Sequence, residues 1–348
     1  MNTLRIPNGR LRRRQRGVSL IELMIGITIG LVLLTALASL YYANSLSRTE
    51  FVKSAEQVEN GRYALDQIRR EVELAGFFGA GSIARGATVA EPALCAADPA
   101  ALGFSAAGLT VPLALAGYGP GVAAPCLPDL AATSEVLVVR RVSTTPVAAP
   151  TPGVPYLQVS ACPQDANSFV FDASAAAAFG LRTKACDPAQ PAALRQAVVR
   201  VFYLAGCDRC TNGGDGIPTL KMAELVGGAF QSRSVAQGVQ DMHLLYGVDL
   251  DSNGSADCYV DDPGSNNAAA CATVPGYDWT NALANWGNVT TVRVNLLART
   301  LRPSGGQSDN RTYDLGRAAA SGPFNDGFKR HVYAQVARLV NVAGLREQ

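Results

Sequence analysis

The sequence predicts an α+β chain: a long N-terminal helix packed on an antiparallel β-sheet head with long loops and disulfides. Three observations lead there. Residues 18–43 form a run of 26 positions that carries one charge, Glu22. Behind it, apolar or small residues recur at Phe51, Ala55, Val58, Gly61, Leu65, Ile68, Val72 and Ala75, in the steps of three and four of a helix with one buried face. Farther on, Val292, Val294, Leu296 and Ala298 alternate with Arg293, Asn295, Leu297 and Arg299, the period of a strand buried on one side.

The first run is long enough to cross a hydrocarbon core of ~30 Å at ~1.5 Å per residue. Arginines 5, 10, 12, 13, 14 and 16 precede it with no acid among them, and none follows it directly. That asymmetry sets the N-terminus cytoplasmic and the bulk of the chain outside. The net charge of +2 therefore belongs to the leader, and the remainder is acidic. No basic stripe with interleaved aromatics remains, so nothing supports a nucleic-acid partner and none is expected. All eight cysteines lie on the outer side, where an even count reads as disulfides. Sequential pairing is the expectation: Cys95–Cys126, Cys162–Cys186, Cys207–Cys210 and Cys258–Cys271.

A carboxylate inside such a run costs roughly 2.5–3.5 kcal/mol near the bilayer centre, so Glu22 calls for a partner. Against a cleaved secretory signal, cut after Ala36-Leu37-Ala38, stand the long apolar core and the charge at Glu22, and a plain anchor leaves Glu22 without a purpose. A third reading gives it one. Gly17-Val18-Ser19-Leu20-Ile21-Glu22 resembles the processing site of type IV prepilins and pseudopilins. The resemblance implies cleavage by a prepilin peptidase between Gly17 and Val18 and N-methylation of Val18. Glu22 is then the fifth residue of the mature chain, paired with the new amine of a neighbouring subunit. Val18 departs from the phenylalanine most frequent there. Gly26 and Gly30 have the small-xxx-small spacing that lets helices approach closely.

The periodic stretch carries opposite charges four apart at Arg62–Asp66, Asp66–Arg70 and Arg69–Glu73, until Gly76, Gly79 and Gly81 break it. A continuous helix from Val18 to Ala75 spans roughly 85–90 Å. Within it, residues 59–79 (ENGRYALDQIRREVELAGFFG) resemble the PilW family of minor pilins, itself similar to the J pseudopilin of type II secretion. VQDMHLLYGVDLD and VTTVRVNLLART resemble the C-terminal half of the same family. A pilin-like fold is what this implies.

The resulting domain plan is a basic leader at 1–17, a transmembrane and fibre-core helix at 18–43, and its amphipathic continuation at 44–78. An extracytoplasmic head follows at 79–348, with an Ala/Pro-rich loop excursion over 80–130. Strands are expected at Glu135–Val142, Tyr156–Val159, Phe169–Phe171, Ala197–Leu204, Val239–Val248, Val289–Leu301 and Val332–Val340, joined by turn-rich segments (NGGDG, DSNGSAD, PSGG) that favour hairpins.

Chemistry is sparse. Asp249, Asp251, Asn253, Ser255 and Asp257, with Gly254, match the oxygen spacing of a calcium loop, but Val260 stands at the twelfth position. A structural calcium site and a plain Asx/Gly turn are the two readings, and no other cofactor is implied. Cys207-Asp208-Arg209-Cys210 has redox-motif spacing, yet TNGGDGIP follows where a helix should begin, so a structural disulfide is expected. His243 and His331 read as ordinary sheet residues, and Arg311, Arg317 and Arg330 as solvated. No G-x-S-x-G or phosphate-binding glycine loop occurs, so nothing points to an enzyme.

The resemblance implies a minor pilin of the type IV pilus that primes polymerisation at or near the tip. Its implied partners are other minor pilins, the major pilin, prepilin peptidase, the inner-membrane assembly platform and a tip adhesin. Its implied location is the bacterial inner membrane, single-pass with the head periplasmic, and then the fibre at the cell surface. The alternatives are a J-type pseudopilin of type II secretion and a membrane-anchored periplasmic binding or enzymatic domain.

Overall fold

The structure is a computed structural model that describes residues 17–79, 83, 86–174, 178–272 and 274–347. The six leader arginines and the start of the insert lie outside them. The chain divides into two units, Met1–Val52 and Lys53–Gln348.

The described part of the first unit is helical from Leu20 onward. Helix α1 (Leu20–Leu74) runs without a proline, so nothing removes a backbone donor along its length. Its first half is apolar on every side, with Leu20, Ile21, Met24, Ile27, Leu31, Leu34, Leu37 and Leu40 all exposed. The helix has the length and composition to cross a membrane, with a mean hydropathy of 2.4 over its most apolar window. A helix hydrophobic all round requires lipid or other helices around it.

The second unit begins with the remaining turns of α1 and continues into strands. These are β1 (Thr88–Ala90), β2 (Thr110–Pro112), β3 (Leu115–Tyr118), β4 (Val136–Val142), β5 (Tyr156–Val159), β6 (Phe169–Asp172) and β7 (Leu194–Ala205). After them come β8 (Thr219–Val226), β9 (Ala229–Gln237), β10 (Val239–Val248), β11 (Cys258–Val260), helix α2 (Ala282–Gly287), β12 (Val289–Arg299), β13 (Arg330–Arg338) and helix α3 (Val340–Ala343). One antiparallel sheet was expected; among the described residues the head has two, plus a short parallel pair, β1–β2. In the larger sheet β7 is long enough for three partners: β5 along Leu194–Gln196, β4 along Ala197–Phe202 and β8 along Arg200–Ala205. The smaller sheet runs β11-β10-β12-β13, antiparallel throughout.

One core joins α1 to both sheets. Ala64, Leu65, Ile68 and Val72 pack with Leu137 and Phe202 of the larger sheet and with Val292, Val294, Leu296 and Ala298 of the smaller. The alternation in β12 thus places its apolar set under the helix. The insert is not wholly loop, since it contributes β1, β2 and β3, and β3 pairs with β4.

The other face of β12 departs from expectation. Leu297 and Asn295 are buried, because the segment after β12 folds back over them with Tyr313 and Leu315. Arg330, expected in solvent, has a fully buried side chain that fastens this segment. It donates to Asp309 at 3.0 Å, to Asp326 at 2.6 Å and to Gln240 at 2.8 Å, and lies over the Phe324 ring. Arg317 is half-buried and binds Asp241 at 2.8 Å; Arg311 is the exposed one.

Burial alone would raise the Asp309 carboxyl, but hydrogen bonds from Tyr313 and Arg330 outweigh it and hold it below 3.8. The hydrogen bond from Arg330 likewise lowers Asp326. Ser160 and the Arg182 backbone bring Asp165 down to about 2. A carboxyl depressed on folding contributes stability that is complete above its unfolded value and is lost as pH falls through its folded one. The melting temperature of the detergent-solubilised protein is therefore expected to fall most steeply between about pH 4 and pH 2. A flat profile across that window would contradict these ties.

Candidate functional site

The start of α1 is built by four residues. Ser19 is the N-cap: its carbonyl accepts from Leu23 N at 3.1 Å and its Oγ from Ile21 N at 3.2 Å. Glu22, three residues on, returns its Oε2 to Ser19 N at 3.0 Å. This reciprocal capping box satisfies two helix donors that would otherwise lack partners. Glu22 therefore has a partner within its own chain, one residue beyond the Gly17–Val18 bond. Charge and hydropathy alone did not anticipate this contact, although Ser-x-x-Glu before an apolar run is its signature. Gly26 and Gly30 lie on the exposed helix, where a Cβ at either position would have no neighbour within 4 Å among the described residues.

The far end of the helix is docked by polar residues that the periodicity did not reveal. The seam is Gln57, Gly61, Ala64, Leu65, Ile68, Glu71, Val72 and Ala75, whereas Phe51, Ala55 and Val58 are exposed. Glu71, on the buried face, receives Arg141 Nε at 3.0 Å and Nη2 at 3.3 Å, and also binds Arg200, which in turn reaches Glu224. Gln57 Nε2 donates to Ala298 O at 2.7 Å and Lys329 O at 3.1 Å. A Cβ on Gly61 would stand 2.5 Å from the Tyr333 ring, so glycine is what lets β13 approach. At the helix end, Asn341 Nδ2 donates to Glu73 O and Ala75 O, covering carbonyls left free by the last turn. On the outer face, Asp66 binds Arg69 and Arg70, and Arg69 binds Glu73.

Two family models fit this geometry. Residues 12–38, spanning the cap and the exposed half-helix, match the prokaryotic N-terminal methylation motif. Residues 202–341, from β7 through the Asn341 that closes α1, match type IV pilus-assembly protein W. The chain matches a PilW-family pilin. No curated protein and no solved structure matches it. Both family models describe pilin features rather than an enzyme, and the methylation motif with the apolar helix fits a membrane-anchored pilin.

The remaining candidates lie on the head. Carboxylate oxygens of Asp249, Asp251 and Asp257 lie within 4.8 Å of one another in the β10–β11 connection. Asp249 is fully buried, accepts from Asn253 N and Gly254 N, and stands 3.3 Å from Arg346 Nη1. Asn253 Oδ1 is taken by Ser255 N. Val260 is buried in β11, Asp261 turns to His243, and Asp262 accepts from Gly264 N and Ser265 Oγ, so none of the three completes the loop.

The cysteines are joined as Cys95–Cys126, Cys162–Cys186, Cys207–Cys210 and Cys258–Cys271. His331 is exposed with its ring edge on Tyr333. His243 lies in the sheet, on β10. It is buried with Nδ1 2.7 Å from Glu135 Oε1 and Nε2 3.3 Å from Asp261 Oδ1, and Glu135 also accepts from Leu244 N.

Proposed function

We propose that this chain is a minor pilin of the type IV pilus that primes polymerisation and sits at or near the fibre tip. One observation carries the reading. Inside the methylation motif, the Glu22 carboxylate already points at the chain end that a cut between Gly17 and Val18 would create. Leader 1–17 is removed by prepilin peptidase, and Val18 becomes the N-methylated amino-terminal residue. The ammonium so formed, on this subunit or its neighbour, replaces Ser19 N as the partner of Glu22. Two charges that are each costly in lipid become tolerable together.

Residues 18–43 then span the inner membrane with the N-terminus cytoplasmic, and pass into the fibre core. Gly26 and Gly30 give neighbouring helices room to approach. The continuation 44–78 carries the periplasmic head, residues 79–348. Other minor pilins, the major pilin, the assembly platform and a tip adhesin are the partners this role requires, and the protein acts by assembly rather than catalysis. The Asp249–Asp257 loop takes structural calcium in competition with Arg346. Calorimetry showing no heat at millimolar calcium would remove that part.

Gold-labelled antibody against the head is the test of placement. Label at one end of each fibre, with few fibres in the deletion strain, is expected. Fibres unchanged by the deletion, with secreted proteins retained in the cell, would assign the chain to type II secretion instead.

A further inference from the structure

The Cys207–Cys210 loop runs into a single 3-10 turn, Thr211–Gly213, broken at Asn212, rather than into a long helix whose N-terminus would favour a thiolate, yet the fold supplies a cation there. Lys221 of β8 is buried, and its Nζ stands 3.4 Å from Cys210 Sγ. Among the described residues its other partner is Asp129 Oδ2, also at 3.4 Å. That is longer than the roughly 2.7–2.9 Å of a tight charged hydrogen bond. A buried ammonium with one loosely held carboxylate is ready for a second anion. A Cys210 thiolate would be that anion.

The loop is also held in shape without its disulfide. The Asp215 carboxylate accepts from Asp208 N and Arg209 N at 3.0 Å and from Ile217 N at 3.1 Å. The Asp208 carboxylate accepts from Ser234 Oγ at 2.5 Å and Gln237 Nε2 at 2.7 Å. The bridge closes a sequence separation of 3, against 31, 24 and 13 for the other pairs, so it restrains the unfolded chain least. Opening it removes little that holds the head together.

We infer that Cys207–Cys210 is an exchangeable redox site whose co-reactant is an external dithiol. One thiolate of the dithiol attacks Cys207 Sγ; the bond between the two cysteine sulfurs breaks, and its electron pair leaves on Cys210 Sγ beside Lys221. The dithiol's second thiol then gives up its proton and attacks its own sulfur in the mixed disulfide. Cys207 leaves as a thiolate and takes that proton. The reductant ends as a disulfide, two electrons poorer, and the loop as a dithiol-thiolate pair, two electrons richer. A leaving thiolate stabilised in this way accelerates exchange.

The test titrates the detergent-solubilised full chain with dithiothreitol at pH 7, alkylates, and reads each cysteine by peptide mass spectrometry. Cys207 and Cys210 are expected to label at concentrations roughly tenfold below those that open the other three pairs. Lys221→Met should slow their opening roughly fivefold, and Asp129→Asn, which frees the ammonium from its exposed competitor, should speed it. The second variant keeps the proposal testable if the first does not fold. Opening together with or after the other pairs would overturn the proposal. So would an opening rate that neither variant moves in its expected direction.

Discussion

Replacing Glu22 by alanine is expected to leave membrane insertion intact and to lower incorporation into fibres on the order of a hundredfold. Removing the carboxylate spares the roughly 2.5–3.5 kcal/mol that it costs in the apolar run, so the helix enters the bilayer at least as readily. In the assembly, however, an ammonium would face lipid unpaired, and an uncompensated penalty of that size corresponds to such a loss. The capping box offers a competing explanation, since alanine also leaves Ser19 N without its acceptor, worth about 1 kcal/mol. Glu22→Gln separates the two. The amide keeps an acceptor for Ser19 N but carries no charge, so a Gln variant that fails as alanine does assigns the effect to charge pairing. A Gln variant that assembles normally assigns it to the cap, and normal assembly of both variants contradicts either role.

The second large effect is expected at Glu71. Alanine there leaves Arg141 buried without its counter-charge and strips Arg200 of one of its two carboxylates. Breaking one side of a buried ion pair costs about 3–5 kcal/mol, far more than the pair itself contributes relative to an apolar substitute. The head should melt roughly 10 °C lower. Glu71→Ala combined with Arg141→Met should recover part of the loss, because the uncompensated charge goes with the arginine. A single variant that melts like the parent would mean that apolar contacts alone, at Ile68 and Val72, hold the helix on the sheets.

What the sequence made legible was set by local patterns. The apolar run, the Gly17–Glu22 segment and the strands β5, β10 and β12 carry their information in consecutive residues. The helix seam was read with its lower half right and its upper half wrong. Leu65, Ile68, Val72 and Ala75 are apolar and buried, but Gln57 and Glu71 are buried because partners far along the chain satisfy them. Composition cannot report an arginine seventy residues away. The same holds for Arg330, whose carboxylates come from a segment that folds back over β12. The β8–β9 hairpin was missed with less excuse. Val226-Gly227-Gly228-Ala229 is a two-residue turn with positive φ at both glycines, flanked by alternating residues, a strong local signal. At the start of α1, Ser-x-x-Glu before an apolar run was a local signal for the Ser19 cap that the sequence reading passed over, whereas the place of Lys221 beside Cys210 depends on the register of β8 against β7 and has no local signal.

The central claim is that a cut after Gly17 creates the cation for which Glu22 is retained. Mass spectrometry of the chain recovered from purified filaments reads this directly. The account predicts a mature N-terminus at Val18 carrying one methyl group, with the arginine-rich leader gone. Recovery of filaments in which the chain still begins at Met1, or begins at Ser39, would contradict it.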